Sequence, residues 1–311
     1  MPKSAMALVI LLPLSLFVFL TEARLNPAAP QASGGNRSRG IRQIIPGHYV
    51  YQETEEGSSS FNSGIIVTSE GVVVVDALNS EAVAQRVREA ISRVTTQPVR
   101  FLISSTFHNN YTRGNVAYPD AVRIGHESYR SDLIPEMIRG ESPSPEVQKA
   151  RMPHQTYRDR MTIHLGGKEI QILHLGRAHT RGDSIVFVPE DRIVYLSEVF
   201  FLDQFPYTRT AYPSEWLQVL EKVEALDADI LVPGHGFLSD DPRETRQGLR
   251  RMRQILVDVR DAVRREIARG ATEDQAVAAI KLPQYEGLPG WDPAGEMALR
   301  RFYQELTSKL D

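Results

Sequence analysis

The chain has 311 residues, 41% of them hydrophobic and 24% charged, which suits one large globular domain or a domain with an extension. Its 36 basic and 39 acidic residues leave a net charge of −3, which argues against a nucleic-acid binder and for a small-molecule ligand met in a pocket. The absence of cysteine excludes disulfides, thiolate metal ligands and lipid attachment through an N-terminal cysteine, so any metal must be held by His, carboxylate or amide groups.

The N-terminus carries Lys3 and then an apolar run at 7–20, too short for a comfortable membrane span, followed by Thr21-Glu22-Ala23. Residues 1–23 therefore read as a signal peptide cleaved after Ala23, with an uncleaved anchor as the competing reading. The expectation is an exported protein, periplasmic or extracellular, with no stable membrane insertion after cleavage. Residues 24–44, rich at first in Pro, Ala, Gly and Ser, read as a flexible linker, with order beginning near His48.

Strand patterns follow at 49–53 and 64–67, and the valines of GVVVVD at 71–76 suit a strand buried on both faces. Residues 80–94 read as a helix, with Val83, Val87 and Ile91 four apart. Strands at 99–104 and 122–125 continue a β/α alternation that predicts a layered α/β sandwich. The stretch 140–160, with SPSP and little periodicity, predicts a long loop that could cover a site. Strands are expected at 161–165, 169–175, 184–188 and 193–196, a helix at 213–226 and a short strand at 230–232. Beyond Pro242 the pattern is helical. Leu249, Met252, Leu256, Val259, Val263 and Ile267 make one apolar stripe, and Ala298, Leu299, Phe302, Leu306 and Leu310 make another. The expected organisation is 1–23 signal peptide, 24–44 linker, 45–240 main domain and 241–311 helical extension.

Three loops place a histidine just past a strand, where α/β proteins build sites: Thr106-Phe107-His108-Asn109-Asn110-Tyr111, Leu175-Gly176-Arg177-Ala178-His179 and Val232-Pro233-Gly234-His235-Gly236. Glu198 follows the 193–196 strand in the same manner. Singly, each histidine is as well explained by an ordinary hydrogen-bonded side chain, which is the reading for His48, His126, His154, His164 and His174.

Together the segments resemble the metallo-β-lactamase superfamily across roughly residues 48–240. The family's His-x-His-x-Asp-His motif is matched in place by Thr106 to Tyr111, with Gly114-Asn115 following. LGRAHTRGD resembles the segment of the next ligand histidine, Tyr195-Leu196-Ser197-Glu198 that of the metal-bridging Asp, VPGHG that of the last histidine, and GVVVVD the early strand with its structural aspartate. The intervals agree: 71 residues from His108 to His179, 19 more to Glu198 and 37 more to His235. The resemblance implies an α/β metallo-β-lactamase-like αββα four-layer sandwich with a C-terminal helical extension.

The departures are as specific as the match. Thr106, Asn110 and Tyr111 stand where the family has His, Asp and His, and Glu198 stands for Asp. A neutral amide and a phenol with a pKa near 10 are poor ligands, so a second metal is not expected. Loss of the Asp also removes the group the family is thought to use to orient the attacking water. His108, His179, Glu198 and His235 are the candidate ligands of at most one ion, zinc or iron, or else members of a metal-free polar cluster. The functional expectation is a hydrolase of ester, thioester or lactam bonds on a small-molecule substrate. Its alternative is an inactive binding protein that kept the pocket without metal. Oxygen chemistry at iron is a third option. Phe200, Phe201, Phe205, Tyr207 and Tyr212 either line an apolar pocket or pack the core. Of two glycosylation sequons, Asn36 and Asn110, the latter falls inside the expected site.

Overall fold

The computed structural model describes residue 1 and residues 39–54, 60–138 and 143–310, so the expected signal peptide after its first residue and most of the expected linker lie outside the described residues. The first half of the chain carries β1 (Gly40–Ile45), β2 (His48–Thr54), β3 (Ser60–Thr68), β4 (Gly71–Val75), α1 (Glu81–Val94), β5 (Val99–Ser104), α2 (Asn109–Thr112), β6 (Val122–His126), α3 (Tyr129–Met137), α4 (Pro145–Arg151) and β7 (Gln155–Tyr157). The second carries β8 (Arg160–Leu165), β9 (Lys168–Leu173), β10 (Ile185–Val188), β11 (Ile193–Phe201), α5 (Pro213–Glu224), β12 (Ile230–His235), α6 (Pro242–Ala268), α7 (Glu273–Ala279) and α8 (Trp291–Leu306).

The strands form one mixed path, β7-β6-β5-β4-β3-β12-β11-β10-β9-β8, with β2 and β1 added on β3. Its two halves meet at a single register pair, Phe61 opposite His235, so the path behaves as two sheets hinged beside the site. The alternation of strand side chains shows how the halves stack. Val73 and Val75 of β4 face inward, packing in one cluster with Ile170 and Ile172 of β9 and Ile193 of β11. Val72 and Val74 face outward, onto Val83, Val87 and Ile91 of α1. On the opposite outer face Val194 and Leu196 of β11 pack under α5, α6 and α8 through Trp216, Leu220, Leu256 and Phe302. Helix, sheet, sheet, helix is therefore the layer order, the expected αββα sandwich, and the C-terminal helices lie on its second helical layer.

Local signals set the helix ends. Ser80 caps α1 by accepting from the Val83 amide at 3.2 Å, and Asp241 caps α6 through the Arg243 amide at 2.9 Å, with Pro242 at the first helical position.

Several expectations are corrected. The strand β1 begins at Gly40 and pairs with β2 from Gly40 opposite Gln52, so residues 40–44 are sheet rather than linker. The expected loop at 140–160 holds α4 and β7; Ser144 caps α4, and Pro145 opens it in the position where proline favours a helix start. The strand expected at 193–196 runs to Phe201, with shifts of register on either side of Ser197, so Glu198 lies inside a bulged strand rather than past its end. His235 likewise ends β12 instead of following it.

Candidate functional site

The strand ends converge on the buried carboxylate of Asp76, which leaves β4 with φ +67. It accepts from the Ser105 amide at 2.8 Å and from the Ser105 and Ser197 hydroxyls at 2.7 and 2.6 Å. The Ser105 and Ser197 hydroxyl oxygens also stand against each other. One side chain thus ties β4, β5 and β11 together. Burial pushes the Asp76 carboxyl up to about 7, against the hydrogen bonds from the two serines. Close backbone approach completes the frame. A Cβ at Gly234 would fall 2.2 Å from the Ser197 carbonyl carbon, and one at Gly114 would fall 2.0 Å from the Ala77 oxygen.

Ser197, at φ +48, turns Glu198 toward the histidines. Glu198 Oε2 lies 2.7 Å from His108 Nδ1 and 3.3 Å from His179 Nδ1, and Oε1 lies 3.6 Å from His235 Nε2. Although burial opposes ionisation, the His108 and His179 imidazoles hold the Glu198 carboxyl well below the usual range. His108, the cap residue of α2, has its Nε2 2.9 Å from the Thr210 hydroxyl. His179 sits in a turn braced by Asp183, which accepts from the Thr180 amide at 2.7 Å and hydroxyl at 2.6 Å. Burial pushes Asp183 up to about 7, opposed by His179 and Thr180. His235 stacks on Phe201 with ring centres 4.2 Å apart, and burial lowers its pKa. Apart from their approaches to Glu198, the ring nitrogens of His179 and His235 have no hydrogen-bond partner among the described residues.

The substituted motif positions are each accommodated differently. Asn110 donates from Nδ2 to Glu198 Oε1 at 3.2 Å. Tyr111 is fully buried against Phe61 and His235 and donates its hydroxyl to the Gly234 carbonyl at 2.6 Å. Burial pushes its phenol well above 10, so it serves as a donor rather than a phenolate ligand. Thr106 is buried, and its hydroxyl has no hydrogen-bond partner among the described residues.

A cavity of about 310 Å³ opens over His108, Asn110, Glu198 and His235, walled by Phe61, Phe201, Phe205 and Tyr207 and edged by Gln204 and Arg209. Of the aromatics singled out in sequence, Phe201, Phe205 and Tyr207 line this space. Phe200 is core, and Tyr212 stacks under Arg177 with 4.1 Å from guanidinium to ring centre. Residues given no role by sequence reasoning are Ser105, Gln204, Arg209 and Thr210, single polar residues without motif context, and Ser197, which entered only as the neighbour of Glu198.

The residue set fits one ion and not two. His108, His179 and Glu198 each bring a donor atom within 4.8 Å of the others, whereas His235 lies outside that group. Donors around a tetrahedral ion with bonds of 2.0–2.1 Å stand about 3.3 Å apart. The His179–Glu198 separation of 3.3 Å matches that spacing. The His108–Glu198 separation of 2.7 Å is a direct hydrogen bond and would have to open. When bound, such an ion would supply Lewis-acid polarisation of a substrate oxygen.

Comparison with known proteins agrees with this architecture. The linear primary-alkylsulfatase of Pseudomonas sp. (strain ATCC 19151) is 22% identical over 282 residues, covering 77% of this chain and 52% of its own. The alpha subunit of 2,4-dinitroanisole O-demethylase of Nocardioides sp. (strain JS1661) is 26% identical over 172 residues, covering 53% and 49%. This chain thus spans about half the length of both relatives. Among solved structures, the stereoselective inverting sec-alkylsulfatase from Pseudomonas sp. superposes with a TM-score of 0.69 at 14% identity, over 86% of this chain and 50% of that one. The metallo-beta-lactamase from Pontibacter korlensis gives 0.59 at 16% identity, over 70% and 99%. The profile of the Metallo-beta-lactamase superfamily matches residues 60–235, a span that holds the Asp76 frame, all three site histidines and Glu198, and the chain belongs to that superfamily.

Proposed function

We propose that the protein is an exported hydrolase of small-molecule ester, thioester or lactam bonds that uses at most one metal ion, zinc before iron, held by His108, His179 and Glu198. The observation that carries this reading is the convergence of those three donor groups, of which His108 and Glu198 line the aromatic-walled cavity. A fourth imidazole, His235, stands 3.6 Å from the second Glu198 oxygen, close enough to join after a small shift. The aromatic walls suit an apolar substrate body, and the relatives named for alkyl sulfates add sulfate esters to the classes worth assaying.

Elemental analysis of purified protein tests the ligand set. One ion per chain, lost in His179→Ala together with hydrolysis, is the expected result; a folded, active, metal-free protein after growth in zinc-supplemented medium would overturn the metal. N-terminal sequencing of protein recovered from the periplasm or medium is expected to begin at Arg24, and a chain retained in the cytoplasm would overturn export. A second reading, a binding protein without chemistry, is favoured by the saturation of Glu198 by His108 and Asn110. Ligand binding without turnover across the ester panel would select it. Among the described residues no helix is long and apolar enough to cross a membrane.

A further inference from the structure

The site cavity is closed in part by residues far along the chain from the last site histidine. Gly290 and Ala294, at the start of α8, line it together with His108, Glu198 and His235. The three residues between them, Trp291, Asp292 and Pro293, line a different space of about 680 Å³ against α7 and α8. The 290–294 segment is therefore a partition, with its bulk on one side and only a hydrogen and a methyl group toward the site. Ala294 is 2% exposed and packs in one core cluster with Ala298 and Phe302. In so dense a setting the cavity is the free space into which a longer side chain at 294 would grow.

The partition is held in place from the β11–α5 turn. The Phe205 amide donates to the Pro289 carbonyl at 2.9 Å, and the Phe205 ring meets Trp291 edge-on with centres 4.9 Å apart. Tyr285 packs on the same ring at 6.4 Å and donates its hydroxyl to Asp258 of α6 at 2.5 Å. Gly290 takes φ +83, and a Cβ there would come 3.3 Å from the Phe205 carbonyl oxygen, so glycine suits this turn. Phe205 itself lines the site cavity, so one ring serves both as cavity wall and as the clasp for the partition.

We propose that Ala294 is a specificity-determining residue, whose methyl group ends the cavity and sets the length of the apolar body that a substrate can carry. At about 310 Å³ the cavity stands at the low end for ligand sites, with room for a reacting group and one ring or a short alkyl chain. The polar end, with His108, Asn110, Glu198 and His235, takes the reacting group; Phe61, Phe201, Phe205 and Tyr207 cover the body. The proposal rests on the hydrolase reading for the bond that is cut, and on the cavity alone for the fit of the body.

Two measurements on the full chain test it. Calorimetry follows binding of straight-chain carboxylates from butanoate to dodecanoate, below their micelle concentrations, and a second assay follows hydrolysis of the 4-nitrophenyl esters of the same acids. In the natural chain affinity should rise about fourfold per methylene up to a cut-off length and rise no further beyond it. Ala294→Leu, which adds three carbons, should lower the cut-off by two or three methylenes. It should weaken the carboxylate at the natural cut-off at least tenfold, while butanoate changes less than twofold. Met297→Phe, at a position lining only the larger space, should leave the profile unchanged. Thermal unfolding identifies any variant that fails to fold, and the smaller Ala294→Val carries the test if Ala294→Leu is lost. No saturable binding at any length, an unmoved cut-off in folded Ala294→Leu, or a cut-off moved by Met297→Phe instead would overturn the proposal. A lowered cut-off in binding with no ester turned over supports it and strikes the hydrolase reading instead.

Discussion

The two halves of the site have met the same polar, buried environment in opposite ways. On the β5 side, positions 108, 110 and 111 are closed: Asn110 is spent on Glu198, Tyr111 on the Gly234 carbonyl, and His108 is hydrogen-bonded through both nitrogens. On the β11–β12 side, His179 and His235 are as deeply buried, yet their ring nitrogens meet only Glu198, at 3.3 and 3.6 Å. A buried polar atom without a partner is costly, so the open half is where binding of something beyond the protein would return most. The closed half shows that ligand positions can be refilled by ordinary hydrogen bonds without disturbing the frame around them.

Four experiments bear on this contrast, and the largest effect comes from reopening the closed half. Thr106→His, Asn110→Asp, Tyr111→His and Glu198→Asp together are expected to bring metal content to two ions per chain by elemental analysis; unchanged content would mean that the frame, not the ligands, limits binding. Next, Glu198→Ala removes the one acceptor shared by His108 and Asn110 and approached by His179 and His235. Denaturant unfolding should show a loss of about 3–5 kcal/mol, typical of breaking a buried charged pair. A loss near zero would place Glu198 outside the network. A smaller cost, about 1–3 kcal/mol, is expected for Tyr111→Phe, which leaves the Gly234 carbonyl without its donor. If Tyr111→Phe is neutral, packing against Phe61 and His235 rather than the hydrogen bond holds the ring.

The last effect concerns pH and is read as a slope. Asp76 is raised from 3.8 to about 7 by burial, against its serine donors, so the folded chain binds this proton more tightly than the unfolded chain. That contribution is complete below about pH 4 and is lost as pH rises toward 7. Asp76→Asn should therefore lose less stability between pH 4 and 7 than the natural chain does, as read from unfolding midpoints. Asp183, raised in the same sense, leaves part of the slope in place. Identical slopes would mean that Asp76 titrates in its ordinary range.

Much of this was legible in the sequence wherever a pattern repeats. The valines of β4 and the stripe on α6 write their layer positions in periods of two and of three to four. The three histidines and Glu198 were legible because each follows, interrupts or ends a patterned strand and keeps a family interval. What escaped has no period. The strand β1 is sheet because β2 offers it an edge, and α4 with β7 are too short and polar to show a stripe. Thr210 and Arg209 are single residues in an unpatterned turn, and only folding places one beside His108 and the other across from Glu136. The bulge at Ser197 was equally invisible, although it aims Glu198.

The knot of Asp76 with Ser105 and Ser197 contains no candidate metal ligand, so the rim can assemble before any ion arrives. Damage to the knot and damage to the imidazoles should then part company in the cell: the first would lower how much protein accumulates, the second only what each molecule can do. A lineage losing its metals could keep its scaffold intact, free to acquire another chemistry on the same rim.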